Sequence, residues 1–195
     1  MLQGSFGFER KRDYVYEIRL HGLGGEGVVT LSDIIGKTAT RCNKWAHSLP
    51  FFGTEVRGAP VKAFARVSDS PISVKSYIYE PDLIVITNDT LLEINGTIEG
   101  LKKDGILLVN SPRKKESMKK AIPSRTYVIN ATDMAHEIFG RPIVNTILFG
   151  ALIGATGLFP LEAAKEIVSE EFSGAREKPN LQAVSRGYRF LREVR

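Results

Sequence analysis

Apolar positions recur along the chain in two periods. Tyr14–Leu20 (YVYEIRL) is rich in β-branched and aromatic residues and predicts a strand. It runs directly into His21-Gly22-Leu23-Gly24-Gly25-Glu26-Gly27. Val28, Leu31, Ile34, Ile35 and Ala39 then keep a 3.6-residue period, predicting a helix to about Thr40. Lys44–Ser48 predicts a short second strand. Leu49–Pro60 holds two prolines and two glycines and predicts an ordered loop. Val61–Val67 alternates, with Val61, Ala63, Ala65 and Val67 on one face and Lys62, Phe64 and Arg66 on the other. Ser68–Pro71 predicts a turn and Ile72–Ser76 a hairpin partner for that strand.

The continuous apolar run Leu83–Thr87 fits a strand covered on both faces, and Gly105–Asn110 and Thr126–Asn130 have the same character. Short helices are predicted near Leu91–Leu101 and Lys114–Ala121. Ala131–Phe139 predicts a helix stopped by Gly140 and Pro142. Pro142–Leu161 carries no charge and contains the pair Gly150 and Gly154. A membrane span needs about 30 Å, whereas the ~14 residues of Ile143–Thr156 give about 21 Å before Gly157 and Pro160. A buried helix packed through its glycines is the better account. Pro160 suits the first position of a helix with Leu161, Ala164, Val168 and Phe172 on one face. Ser173–Pro179 predicts a linker. Asn180 predicts the cap of a last helix with Leu181, Val184, Tyr188 and Leu191 inward and Arg186, Arg189, Arg192 and Arg195 outward. The sum is an α/β fold: three layers, a mostly parallel mixed sheet and a helical C-terminal third. One domain is expected over residues 1–195, with 1–13 as an N-terminal arm.

Composition narrows the chemistry. Of 195 residues, 43% are hydrophobic and 25% charged, which excludes disordered and fibrous classes. The net charge of +5 favours anionic ligands or an acidic partner but falls short of a nucleic-acid signature. The single cysteine, Cys42, cannot build a four-cysteine zinc or iron–sulfur site within this chain. No histidine spacing fits a metal site. The start of the chain lacks an apolar run, so a cytoplasmic location is expected.

Gly22, Gly24 and Gly27 match G-x-G-x-x-G between a strand and a helix, the pattern of a tight turn with a helix N-terminus aimed at an anion. A dinucleotide site also wants an acidic residue at the end of the second strand. Trp45–Leu49 has none, and Glu26 would repel a pyrophosphate. Three readings stay open: a dinucleotide site, a turn used only for packing, and an anion or cofactor contact within a larger assembly. Arg57, between Glu55 and Gly58-Ala59-Pro60, suits a fork onto carboxylate or phosphate, or a structural pair with Glu55. Arg113-Lys114-Lys115 with Lys119-Lys120 reads as a solvated helix face, a docking patch or a nucleotide-phosphate contact.

Taken together, Gly22–Thr30, Pro50–Val61, Arg66-Val67-Ser68 and Pro71-Ile72 resemble the gamma subunit of 2-oxoacid:ferredoxin oxidoreductases, of the type acting on pyruvate or 2-oxoisovalerate. The similarity runs from about Glu17 through Pro81-Asp82, Asn110 and Asn145 to Leu161. The family usually has Gln where this chain has Glu26. The resemblance implies oxidative decarboxylation of a 2-oxoacid to acyl-CoA by a cytoplasmic heterotetramer, with ferredoxin as electron acceptor. It also implies alpha, beta and delta partners that carry thiamine diphosphate, magnesium and the iron–sulfur clusters. This chain would then hold no catalytic or metal-binding residue and be inactive alone. Gly22, Gly24, Gly25, Glu26, Gly27, Glu55, Arg57 and Gly58 would face the partners near CoA. A free nicotinamide-dependent dehydrogenase and a non-catalytic docking module are the alternatives.

Overall fold

The computed structural model describes residues 14–51, 58–117, 122–123 and 125–194. Six strands are β1 (Val15–Leu23), β2 (Trp45–Phe51), β3 (Pro60–Ser68), β4 (Leu83–Ile86), β5 (Ile106–Asn110) and β6 (Thr126–Ile129). Five helices are α1 (Val28–Arg41), α2 (Ala131–Phe139), α3 (Asn145–Thr156), α4 (Leu161–Glu171) and α5 (Glu177–Val194). The sheet order is β2-β3-β1-β4-β5-β6. β1, β4, β5 and β6 run parallel, while β3 is antiparallel to both β1 and β2. The α/β class, the mixed sheet and the helical C-terminal third agree with the sequence pattern.

The main core lies between the sheet and the helices. Ile18, Leu20, Ala63, Ala65, Leu83, Val85 and Leu108 face Leu31 and Ile35 of α1 and the apolar side of α3. No charge interrupts α3 because it has no solvent face: Asn145 through Ala155 are all buried. Its glycines let α5 approach backbone to backbone. A Cβ on Gly150 would lie 1.9 Å from the Val184 carbonyl oxygen, and one on Gly187 would lie 2.0 Å from that of Ile147. No described helix is long and apolar enough to cross a membrane.

The opposite face is covered by irregular chain rather than helix. Ile84, Ile86, Leu107 and Val109 pack there against Leu91 and Leu92, with Ile98 and Leu101 alongside. The expected helix over Leu91–Leu101 is only a 3-10 turn, Asp89–Glu93. Gly96 and Gly100, both at positive φ, turn the chain before a second helical turn can form. The expected strand over Ile72–Ser76 does not join the sheet, because β2 occupies the edge of β3 where it would pair. This segment crosses over the sheet instead. Backbone carbonyls outside a ladder need other donors, and two arginines supply them. Arg66, 2% exposed, donates to the carbonyls of Ser76 and Tyr77 and to the Glu17 carboxylate. Arg19, 7% exposed, donates to the carbonyls of Ile78, Tyr79, Thr97 and Glu99, joining two covering segments. On the face of β3 that carries Lys62, Phe64 and Arg66, the last two are therefore buried, while Lys62 is exposed.

Several boundaries shift. β2 extends from Trp45 to Phe51, so Leu49–Phe51 is strand rather than loop. Of Lys114–Ala121, Lys115–Ser117 forms a 3-10 turn and residues 118–121 lie outside the described residues. α3 starts at Asn145 rather than Ile143, and Pro160 caps α4 instead of opening it. The expected linker contains a 3-10 turn, Gly174–Arg176, and α5 already begins at Glu177. Pro179 fits the first turn because its missing N–H has no partner there anyway. Asn180 is consequently inside the helix. It accepts a hydrogen bond from the Thr146 hydroxyl at 2.8 Å and donates to the Arg176 carbonyl at 2.8 Å. Arg189 and Arg192 face solvent, and Arg186 pairs with Glu137. Residues 1–13 and Arg195 lie outside the described residues.

Candidate functional site

Parallel strands deliver their C-terminal ends to one edge of a sheet, where ligands of α/β folds bind. Here β1, β4 and β5 end together at Leu23, Ile86 and Asn110. β1 runs into the glycine turn, and α1 starts directly behind it with Gly27 at its N-cap. Gly22 must be glycine because a Cβ would fall 2.3 Å from both Thr87 Oγ1 and Val28 Cγ2. Gly27 has φ 76°, a left-handed conformation, and a Cβ there would meet Asn145 Nδ2 at 2.7 Å. The turn therefore sits directly against β4 and α3.

Two sequence motifs meet at this point. The Gly24 N–H donates to the Ala59 carbonyl at 2.8 Å, and the Gly58 N–H donates to the Gly24 carbonyl at 3.3 Å. Gly22, Gly24, Gly25, Glu26, Gly27 and Gly58 are thus brought together. Glu55 and Arg57 lie outside the described residues.

The Glu26 carboxylate is held by neighbouring donors. Its Oε2 accepts from the Leu23 N–H at 2.8 Å and from the Thr87 hydroxyl, and its Oε1 accepts from Asn88 Nδ2 at 3.2 Å. The network continues across the strand ends. Asn110 Nδ2 donates to the Thr87 carbonyl at 2.8 Å and to Thr132 Oγ1 at 2.9 Å, and Asn110 Oδ1 accepts from the Thr132 N–H at 3.2 Å. A cavity of about 350 Å3 opens over this network, lined by Gly24, Gly25 and Glu26 with Thr87, Asn88, Asn110 and Thr132, and closed by Pro142 and Val144. Its described lining contains no cationic side chain. Positive potential comes from the helix ends: α1 has no side-chain cap and no acidic residue in its first turn, and α3 also lacks a side-chain cap. The site can hold a polar ligand through amides and hydroxyls, with an anionic group near the start of α1.

No motif singles out Thr87, Asn88 or Thr132, and Asn110 enters the sequence reading only as a strand end and a point of the family resemblance. The available signal was their position, each following or ending an apolar strand at the C-terminal edge of the parallel sheet. The arrangement also departs from a dinucleotide fold. β3 lies between β1 and β2, so the end of β2 stands two strand spacings, about 10 Å, from β1. A ribose-binding acid there would be displaced from the glycine turn.

On the far face, His21 is buried and accepts from Arg19 Nε at 3.1 Å. Burial first, and then the Arg19 and Lys62 charges, lower its pKa from 6.5 to about 3. The imidazole is therefore neutral, as an acceptor for Arg19 must be. Burial also pushes up the Cys42 thiol, away from the reactive thiolate form.

The family model described as Pyruvate ferredoxin/flavodoxin oxidoreductase matches residues 17–190. The chain belongs to this family. A family relative from Thermococcus kodakarensis, named pyruvate/ketoisovalerate oxidoreductases common subunit gamma, is 42% identical over 175 residues, covering 88% of this chain and 95% of the relative. The crystal structure of pyruvate oxidoreductase subunit PORC from Thermotoga maritima superposes with a TM-score of 0.81 at 35% identity, covering 92% of this chain and 97% of that one. The fold also recurs in 2-oxoglutarate:ferredoxin oxidoreductase from Magnetococcus marinus, solved with 2-oxoglutarate, coenzyme A and succinyl-CoA. That match has a TM-score of 0.77 at 21% identity, covering 95% of this chain and 32% of that one.

Proposed function

We propose that this chain is the gamma-type subunit of a cytoplasmic complex that oxidatively decarboxylates pyruvate, or a related 2-oxoacid, to acyl-CoA while reducing ferredoxin. Its partners are alpha, beta and delta subunits. Family membership and the named relatives support the complex and its substrate class. The single cysteine supports a division of labour, since iron–sulfur clusters need more thiolates than this chain has. Thiamine diphosphate and magnesium belong on the partners, where the thiamine stabilises the carbanion and the clusters accept its electrons.

This chain's own contribution is to shape the CoA site. The observation that carries the reading is the backbone bond from Gly24 to Ala59, which seats the Gly58–Ala59 segment on the glycine turn. The turn fits the group. Gly25 has φ 95° and open space around it, so a ligand can reach the backbone. The uncapped start of α1 favours a phosphate held clear of the Glu26 carboxylate, and the cavity's amides and hydroxyls suit the neutral parts of CoA. Arg57, next to Gly58 in sequence, would supply the cation that the described lining lacks.

The test is Arg57→Ala in the assembled complex. The expected result is an apparent KM for CoA raised about tenfold, the scale of one charge-assisted hydrogen bond, with the KM for pyruvate unchanged. An unchanged CoA KM in an intact complex overturns the assignment. Turnover of pyruvate by this chain without partners would overturn the subunit reading itself.

A further inference from the structure

Three donors converge on the Glu26 carboxylate, and no acceptor among the described residues faces it. Leu23 N–H and the Thr87 hydroxyl reach Oε2, and Asn88 Nδ2 reaches Oε1. Leu23 and Asn88 cannot reverse their roles, whereas a hydroxyl can donate or accept. Leu23 offers a backbone N–H. The Thr87 backbone is fixed on both sides, its N–H donating to the His21 carbonyl at 2.9 Å and its carbonyl accepting from Asn110. Asn88 is oriented by its other end, because Oδ1 accepts from the Thr90 N–H at 3.1 Å and the Thr90 hydroxyl at 2.7 Å. Only the Asn88 amino group is left for Glu26.

These side-chain bonds add to the backbone bonds between Gly24 and the Gly58–Ala59 segment and from the Glu26 N–H to the Leu23 carbonyl. Gly24, Gly25 and Gly27 add backbone freedom and no side-chain packing. Gly22 belongs to the same device, since its lack of a Cβ is what lets the Thr87 hydroxyl come up to Glu26.

We propose that Glu26 is a positioning residue for CoA, forming with Asn88 a matched acceptor–donor pair that holds the glycine turn in the shape the ligand meets. This rests on the CoA reading above. The pair has a polarity. A glutamine at 26 can present one oxygen to Leu23 and Thr87, but its amino group then meets the Asn88 amino group, donor against donor. An aspartate at 88 keeps the cap on Thr90 but sets a carboxylate against Glu26. The two changes together restore one donor and one acceptor, with the direction reversed.

The experiment uses the assembled complex carrying Glu26→Gln, Asn88→Asp, or both, with two readouts. One is amide-hydrogen exchange over residues 20–30. The other is the apparent KM for CoA against kcat. Each single variant is expected to lose protection at the Leu23 amide and raise the CoA KM about tenfold, with kcat at saturating CoA changing much less. The double variant should recover both readouts to within about threefold. A merely structural role would lower complex yield or kcat without this reciprocal rescue in KM. Full protection in Glu26→Gln overturns the pairing. So does a double variant whose losses are the product of the single losses. Lost protection with an unchanged CoA KM overturns the CoA reading instead and leaves Glu26 no ligand to position for.

Discussion

Arg66 on β3 and Glu17 on β1 form an ion pair at 2.9 Å on the sheet face opposite the helices, with 2% of the arginine side chain exposed and 23% of the glutamate's. The same guanidinium donates to the Ser76 carbonyl at 2.7 Å. Removing a buried partner strands the other charge and leaves carbonyls without donors. Arg66→Met should therefore destabilise the fold by roughly 3 kcal/mol, and amide exchange should rise first over residues 69–81. Arg66→Lys should recover little, because an ammonium cannot fork to Glu17 and to two carbonyls at once. Wild-type exchange across 69–81 in Arg66→Met would contradict this account of how the covering segment is held.

His21 gives the fold an acid-sensitive element. Its folded pKa of about 3 lies below the ordinary 6.5, so below pH 6.5 the unfolded chain takes up a proton that the folded chain refuses. The contribution is present in full above pH 6.5 and is lost as pH falls toward 3. The slope from this one group is at most about 1.4 kcal/mol per pH unit. Protonation would also place a second cation against Arg19. His21→Gln, which keeps an acceptor but does not titrate, should flatten the decline in denaturant midpoint between pH 6.5 and 4 by about one proton. Parallel wild-type and His21→Gln curves over that range would refute it.

How much of this was legible depended on the distance over which each cause acts. The strand, glycine turn and helix from Val15 to Arg41 were readable because β-branched runs, glycines and a 3.6-residue period are local signals. Likewise α3 declared itself buried through its unbroken lack of charge. The burial of Arg66 was not readable. Its place on the face of β3 shared with Lys62 and Phe64 is local, but what buries it is residues 69–81 arriving from outside any ladder. Strand order was equally hidden. Nothing in Trp45–Phe51 says that β3 will come between it and β1, yet that insertion separates this site from a dinucleotide fold. In the site, Gly22, Gly24 and Gly27 stood out because a motif holds them together in sequence. Thr87 and Asn88 follow β4, Asn110 ends β5 and Thr132 lies in the first turn of α2, and only the parallel sheet assembles them. In the sequence Glu26 reads as a charge that repels phosphate. Its role as an acceptor for Leu23, Thr87 and Asn88 needed the end of β4 in place.

The α3–α5 crossing offers a graded test. Alanine is the better helix former by about 1 kcal/mol, so Gly150→Ala would stabilise α3 if helix propensity decided the outcome. Packing opposes it. The new Cβ would fall 1.9 Å from the Val184 carbonyl oxygen and 2.9 Å from the Tyr188 nitrogen, both backbone atoms, so no side-chain rotation relieves the clash and one helix must move. Gly187 presses on Ile147 from α5 in the same way, which limits how far the pair can slide. Overpacking of this kind costs about 1–3 kcal/mol. A net loss near 2 kcal/mol would lower Tm by roughly 4–8 °C in a chain of this size. At Gly154 the nearest contacts are 2.8 Å to the Tyr188 carbonyl oxygen and 2.9 Å to Leu191 Cβ, so Gly154→Ala should cost visibly less. Differential scanning calorimetry of the two variants measures the order. If Gly150→Ala melts at or above wild type, or if Gly154→Ala is the more damaging of the two, then close backbone contact is not what selects glycine on this helix.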